Sequence, residues 1–285
     1  MRATQIAQLK SPPQVVELDD AAGLRVLAVA LNPLDLSVGS GSFYGGHPPL
    51  PYVPGCEAVA RAGDGGLVYR NGEGRGTARD GFMAEYVEVT EAAALRLPDG
   101  VDPTLAAAAG IPGLAAWVPV EWKAKVHDGD RVLVLGGSGT VGRIAAQAAE
   151  LLGAAKVLAV GRNELDRVPE EFGEEGFTVC IDPVWGEPLA DALHYAQPHA
   201  RIVHIGQSAG PVAPLKSADV RGKELVIFGH SNFALTSEDR DRAYLELLDQ
   251  LVAGRIELPH QTFELDDIAA AWEHQRSGKS VVVMA

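Results

Sequence analysis

Residues 132–142 read Val132-Leu133-Val134-Leu135-Gly136-Gly137-Ser138-Gly139-Thr140-Val141-Gly142, and the reading of the whole chain turns on them. The apolar run Val132 to Leu135 makes a buried strand. Gly137, Gly139 and Gly142 then give a GxGxxG spacing. Val141, Ile144, Ala145, Ala148, Leu151 and Leu152 follow at helical intervals, Gly153 stops the helix, and Lys156 to Val160 is a second strand. A GxGxxG alone arises by chance in a glycine-rich chain. Between a buried strand and an amphipathic helix it is the fingerprint of a dinucleotide site. Gly137 is expected to permit the tight turn, Gly139 to let the backbone approach a pyrophosphate, and Gly142 to let the helix lie close to the strand. The helix N-terminus offers free N–H donors and a partial positive charge, so Ser138, Thr140 and Val141 join the glycines as candidate cofactor contacts.

The end of the second strand bears on which dinucleotide is bound. An NAD site holds the ribose 2′-hydroxyl with a carboxylate there. This chain reads Val160-Gly161-Arg162-Asn163, with no carboxylate and one arginine. Gly161 is expected to leave room for a 2′-phosphate and Arg162 to meet it with a charged fork, which points to NADPH. The plainer reading makes Arg162 an ordinary surface arginine. Arg167 is the other cation nearby in sequence.

Working outward, strands and helices alternate from Arg131 onward. The expected strands are Val132 to Leu135, Lys156 to Val160, Thr178 to Ile181, Ile202 to Ile205 and Leu225 to Phe228. Alternation of this kind implies an α/β fold with a parallel sheet covered on both faces. The span between Val160 and Thr178 is too short for a helix, a strand and another helix, so five parallel strands are expected. Gly206, Gln207 and Ser208 follow the strand at Ile202, where an open α/β sheet binds ligand; Gly206 and Ser208 are therefore candidate nicotinamide contacts. His204 and His230 lie at strand ends, where one could line the cleft, although the plainer reading is core or surface. Asn232 and Phe233 belong to the next loop of the same rim.

The segments before Arg131 read as short strands and long loops. Leu24 to Ala30, Ala58 to Ala62 and Ala84 to Val89 suit strands, while 36–54 and 64–80 are rich in glycine, proline or charge and read as loop. Thr104 to Ala109 begins a small helix. The apolar stretch Leu105 to Val120 contains Gly110, Pro112, Gly113 and Pro119 and is not expected to span a membrane. After the helix at Tyr244 to Gly254 come two short strands, Gln261 to Leu265 and Val281 to Val283, around a helix at Ile268 to Gln275.

Bulk properties narrow the function classes. The chain has 285 residues, room for two ordinary domains, and carries a formal charge of −14, which argues against nucleic acid as a partner. Its two cysteines, Cys56 and Cys180, can build neither a disulfide framework nor a metal knuckle. Residues 1–10 lack an apolar signal core, so a soluble cytoplasmic protein is expected.

Several motifs together resemble the quinone oxidoreductases of the medium-chain dehydrogenase/reductase superfamily. Ala30-Leu31-Asn32-Pro33-Leu34-Asp35 is similar to N-P-x-D, and Gly41-Ser42-Phe43-Tyr44 to the tyrosine loop. Pro54-Gly55-Cys56-Glu57 resembles P-G-x-E, and Gly81 to Val87 resembles G-x-F-A-E-Y-V. The resemblance implies a β-rich GroES-like catalytic domain, 1–117 and 254–285, interrupted by a Rossmann domain at 118–253. It implies hydride transfer from NADPH to a quinone or an α,β-unsaturated carbonyl, and a homodimer paired through Leu225 to Phe228.

The departures from the family pattern also carry information. Zinc-dependent relatives have a cysteine where Asn32 stands and a histidine where Cys56 stands, and catalytic zinc needs three protein ligands. Cys56 and Glu57 fall short of that set, even with His47 nearby, so no metal is expected. Ala115 stands where the family usually has threonine, which removes one hydroxyl. Without zinc, hydrogen bonds must polarise the acceptor carbonyl. Tyr44 and the amide of Asn32 are the candidates, with Asp35 orienting them. The plainer alternatives are that Tyr44 caps a pocket and Asn32 fixes the turn before Pro33. A competing function is a nucleotide-binding redox sensor or structural relative with little catalysis.

Overall fold

A computed structural model describes residues 1–284. The chain separates into two compact units, Met1–Ile111 with Leu258–Ala285, and Pro112–Glu257. In chain order the first unit holds β1 (Arg2–Gln5), β2 (Gln14–Glu17), β3 (Leu24–Ala30), α1 (Pro33–Ser40), β4 (Glu57–Arg61), β5 (Leu67–Asn71), β6 (Tyr86–Val87) and β7 (Leu95–Arg96). Helix α2 (Pro103–Val118) leads into the second unit, which holds β8 (Arg131–Leu135), α3 (Thr140–Leu151), β9 (Lys156–Val160), α4 (Arg167–Phe172), β10 (Phe177–Asp182), α5 (Gly186–Ala192), β11 (Ala196–His204), α6 (Ser217–Gly222), β12 (Val226–Gly229) and α7 (Ser237–Val252). The chain returns to the first unit with β13 (Gln261–Glu264), α8 (Ile268–His274) and β14 (Ser280–Val283).

The first unit is built on a mixed sheet in the order β13-β14-β3-β4-β5-β7, with β6 on β3, and a separate β1-β2 hairpin. Residues far apart in sequence meet in it: Val281 pairs with Ala30 and Glu57 with Asn71. Its core gathers Ile6, Val29, Leu31, Phe82, Met83 and Trp272. Strand β5 falls within the stretch read as loop. Its residues Leu-Val-Tyr-Arg-Asn favour a strand, and the glycines on either side supply the turns. Helix α1 also lies in a segment read as loop. Asn32 is its N-cap, Pro33 its first residue and Asp35 its third; Gly41, at φ 77°, ends it.

Helix α2 runs farther than the expected short helix, through Pro112, and continues as a π-helical turn at Pro119–Lys123. The stretch Pro103–Lys123 is long and apolar enough to cross a membrane, but 78% of its most apolar window is buried inside the structure, as in a core helix. Gly110 lets it pack closely. A Cβ there would fall 1.9 Å from Glu57 Oε2 and 2.2 Å from the Tyr69 hydroxyl.

The second unit is a five-stranded sheet in the order β12-β11-β10-β8-β9, parallel throughout. No strand lies between β9 and β10; the interval holds only α4 and a 3-10 turn, and β9 is an edge. Numbered within the unit the order is 2-1-3-4-5, which reverses direction between β8 and β10. Open α/β sheets bind ligand at the carboxyl ends of strands beside such a reversal. Leu135, the last residue of β8, opens directly into the glycine turn. The core under the sheet includes Leu133, Leu158, Val160, Phe177, Cys180 and Ile202. Cys180 fills the core from the middle of β10.

Candidate functional site

In the first unit a set of polar side chains is closed in by the sheet. Asn32 is 1% exposed. Its Nδ2 donates to Glu57 Oε1 at 2.8 Å, and its Oδ1 accepts from Lys279 Nζ at 2.8 Å. Lys279 also donates to the Leu31 carbonyl at 2.9 Å, and its ammonium stands 3.6 Å from Glu57 Oε1. The other Glu57 oxygen accepts from the Tyr69 hydroxyl at 2.7 Å and from the Ile111 N–H at 2.6 Å. Asn71 in turn donates to the Tyr69 hydroxyl at 2.9 Å. Burial pushes the Glu57 carboxyl up and the Lys279 amine down, against the pull of these partners. The donors around Glu57 and the acceptors around Lys279 suit the charged pair. The arrangement ties α1, β4, β5, α2 and the approach to β14 together.

One of the two residues expected at the acceptor carbonyl, Asn32, is engaged elsewhere. The Asn32 amide spends its donors inward, on Glu57 and on the Ala30 carbonyl. Asp35 is buried, and its Oδ2 accepts the Asn32 backbone N–H at 2.8 Å, as an orienting group would. Beside it the Cys56 thiol is buried, and burial pushes it up. Among the described residues no three histidine, cysteine, aspartate or glutamate side chains converge on one point. Tyr44 has the opposite setting. It is 82% exposed, its ring is tilted against Phe43 at 4.6 Å, and among the described residues no hydrogen bond engages its hydroxyl.

In the second unit the glycine turn is open. The positive φ belongs to Gly136, at 65°, so Gly136 and not Gly137 makes the tight turn. Gly137 is required for a different reason: a Cβ there would stand 2.6 Å from the Ala159 Cβ and 3.0 Å from the Val160 N, while its own N–H bonds the Val160 carbonyl at 2.8 Å. Gly142 behaves as expected, since its missing Cβ would be 2.3 Å from the Gly136 oxygen. At Gly139 the nearest atom to a Cβ is the Gly136 oxygen at 3.4 Å, so its outward side is open. Gly139 caps α3 with extended backbone, and among the described residues no side chain or loop carbonyl accepts from the first-turn N–H groups of Thr140, Val141 and Gly142. Ser138 contributes its carbonyl to Arg143 Nε at 3.1 Å.

The end of β9 differs from its expected form. Asn163 takes the left-handed conformation, φ 65°, and the chain folds back. Glu164 Oε2 then accepts the Gly161 N–H at 2.6 Å and stands 3.2 Å from where a Gly161 Cβ would lie. The space that Gly161 was expected to leave is occupied by a carboxylate from three residues on. Arg162 is exposed, and among the described residues it makes no ion pair; Arg167 Nη1 stands 3.8 Å from Glu164 Oε2.

The carboxyl rim continues with Asp182, fully buried at the end of β10. It accepts from the Val184 N–H at 3.0 Å, the Trp185 N–H at 2.8 Å and His204 Nδ1 at 3.2 Å. The His204 ring lies against Trp185 at 4.1 Å. Gly206 is drawn toward Pro183, whose oxygen would be 2.9 Å from a Cβ, and Ser208 is exposed in the loop beyond. His230 is buried, with Nε2 on Asn232 Oδ1 at 2.9 Å, and burial lowers its pKa. Sequence reasoning missed Lys279, Tyr69, Glu164 and the Trp185–His204 contact. Glu164 alone had a signal: an acidic residue within one turn of a glycine at the strand end.

With both regions in view, comparisons with known proteins place the chain. Residues 152–281 match the zinc-binding dehydrogenase family, a segment that contains neither Asn32 nor Cys56. The human quinone oxidoreductase is 28% identical over 275 residues, covering 84% of this chain and 82% of that protein. A chloroplastic NADPH-dependent alkenal/one oxidoreductase of Arabidopsis thaliana is 34% identical over 187 residues, covering 60% of this chain and 48% of the other. Among solved structures, the quinone oxidoreductase of Thermus thermophilus, determined also in complex with NADPH, superposes with a TM-score of 0.83 at 25% identity, covering both chains completely. These likenesses and the motifs at Asn32, Tyr44, Glu57 and Gly137 agree: the chain is similar to quinone oxidoreductases over most of its length and has the fold of the medium-chain dehydrogenase/reductases.

Proposed function

We propose that the chain is an NADPH-dependent reductase that passes hydride to a quinone or an α,β-unsaturated carbonyl without a metal. The observation that carries this reading is the uncapped N-terminus of α3 behind Gly136, Gly137 and Gly139. Its N–H groups face no protein acceptor, and its glycines leave the backbone bare for a pyrophosphate. NADPH, when bound, supplies the hydride. Arg162 and Arg167 supply the positive charge for a 2′-phosphate in an otherwise acidic protein. Gly206 and Ser208, at the carboxyl end of β11, are placed to contact the nicotinamide end. Tyr44 is the remaining candidate to donate to the acceptor carbonyl, since Asn32 and Asp35 are committed inside the first unit.

The names of two relatives, quinone oxidoreductase and alkenal/one oxidoreductase, support this acceptor class. Strand β12, with Val226 and Ile227 exposed at the sheet edge, supports pairing of two copies. The test is oxidation of NADPH by purified protein with a panel of quinones and enones, in parent and Tyr44→Phe, alongside metal analysis. Turnover with at least one acceptor, less than one zinc per chain and a reduced kcat in the variant are expected. NADPH binding without turnover of any acceptor would favour the sensor reading instead.

A further inference from the structure

The end of β9 carries opposed charges at the point where Rossmann proteins distinguish NADP from NAD. Strand β9 pairs with β8 through Val160 and Leu135, so Gly161 leaves the sheet level with the glycine turn. In this fold the ribose of the adenosine half lies at that place. Glu164 reaches it from the turn behind. Its Oε2 takes the Gly161 N–H, and the Ser138 hydroxyl is 3.8 Å from the position of a Gly161 Cβ. The carboxylate therefore sits between the glycine turn and the strand end, where an acceptor can take hydroxyl protons of a ribose diol. The same charge repels a phosphate on the 2′ oxygen.

We infer that Glu164 is the residue that sets the cofactor preference of this protein, holding the 2′,3′-diol of NADH and opposing the 2′-phosphate of NADPH until it swings aside. The inference rests on the reading that the glycine turn binds a dinucleotide, and it deepens that reading. The path for the swing is visible. Glu164 is half-exposed, and Arg167 Nη1 is already 3.8 Å from its Oε2, so the carboxylate can exchange the Gly161 N–H for a guanidinium. Arg162, unpaired and exposed, is then free to take the phosphate. The preference for NADPH is a contest between Arg162 and Glu164, and Glu164 narrows it.

The experiment is equilibrium binding of NADPH and of NADH, by calorimetry or fluorescence, to the full-length parent, Glu164→Gln and Glu164→Ala. Glutamine keeps an acceptor for the Gly161 N–H and removes the charge. It should tighten NADPH about ten-fold, the scale of one interaction with a charged group, and change NADH little. Alanine also removes the acceptor for the diol and should weaken NADH several-fold while still tightening NADPH. An unchanged ratio of the two affinities in both variants, or equal losses for both cofactors, would mean Glu164 is only a brace of the loop and would overturn the inference. A parent that binds neither cofactor would overturn the dinucleotide reading itself, a result distinct from a parent that binds both without regard to Glu164.

Discussion

Two polar regions, one in each unit, are finished differently. Around Glu57 the polar atoms answer one another. Asn32, Lys279, Tyr69 and the Ile111 N–H direct their donors inward, and the cluster is sealed from solvent. Around Gly136 to Gly142 the polar atoms are left over. Among the described residues the first-turn N–H groups meet no side-chain or loop acceptor, Arg162 is exposed, and the glycines hold the backbone bare. A satisfied buried network stabilises and specifies a fold; an unsatisfied exposed one is available to a ligand. That contrast moves Asn32, which motif reading alone places at the acceptor carbonyl, into the buried cluster, with Asp35 holding its backbone. It also leaves the α3 N-terminus as the region with chemistry still to perform.

The largest expected effect lies in the sealed region. Lys279→Met strands the Glu57 carboxylate without its counter-ion and should cost about 3–5 kcal/mol in urea or thermal unfolding. Adding Glu57→Gln to that variant should recover part of the loss, because the uncompensated charge goes with it. A loss within about 0.5 kcal/mol for Lys279→Met, the range of an ordinary surface substitution, would mean the cluster is not the tie described here.

The second unit has its own brace at Asp130, which pairs with Arg201 and accepts from the Thr178 hydroxyl at 2.8 Å and the His127 N–H at 3.0 Å. Burial alone would raise this carboxyl, but those partners outweigh it and hold it below the usual aspartate value. A depressed folded pKa contributes stability above the unfolded value near 3.8 and loses it as pH falls through the folded value. Acid unfolding of the parent should therefore steepen below pH ~4. Asp130→Asn, less stable at neutral pH, should show a shallower loss over that interval. Parallel acid curves for parent and variant would count against the assignment.

In the open region the effects are smaller and fall on affinity. Arg162→Ala should weaken NADPH about ten-fold, the lower part of the range for hydrogen bonds to charged groups, and leave NADH nearly unchanged. Added salt should shrink the difference, since the site is solvated. Equal losses for both cofactors would show that Arg162 does not meet the 2′-phosphate.

Much of the parallel unit was legible because its periodicity is local. Strand β9 falls on Lys156–Val160 as expected, and the shortened interval after it announces a five-stranded sheet. The first unit was less legible because its order is non-local. Leu67–Asn71 becomes a strand through pairing with β4, and Lys279 finds its partners some 250 residues away in the chain. The glycine fingerprint was found but its division of labour was not. Spacing identifies three glycines, yet only the backbone dihedral shows that Gly136 makes the turn. Glu164 escaped because strand-end readings stop at the first residues past the strand, whereas a left-handed Asn163 returns the chain to that point.

NADPH titration of the parent and of Gly142→Ala shows whether the open turn of the second unit binds the cofactor. The added methyl would lie 2.3 Å from the Gly136 oxygen and 2.8 Å from the Gly137 Cα, so it must push the helix start away from the turn. The parent should bind NADPH saturably with one site per chain. The variant should lose at least ten-fold in affinity, about 1.4 kcal/mol, while retaining a cooperative thermal transition. A folded Gly142→Ala protein that binds NADPH as tightly as the parent would contradict cofactor binding at this turn.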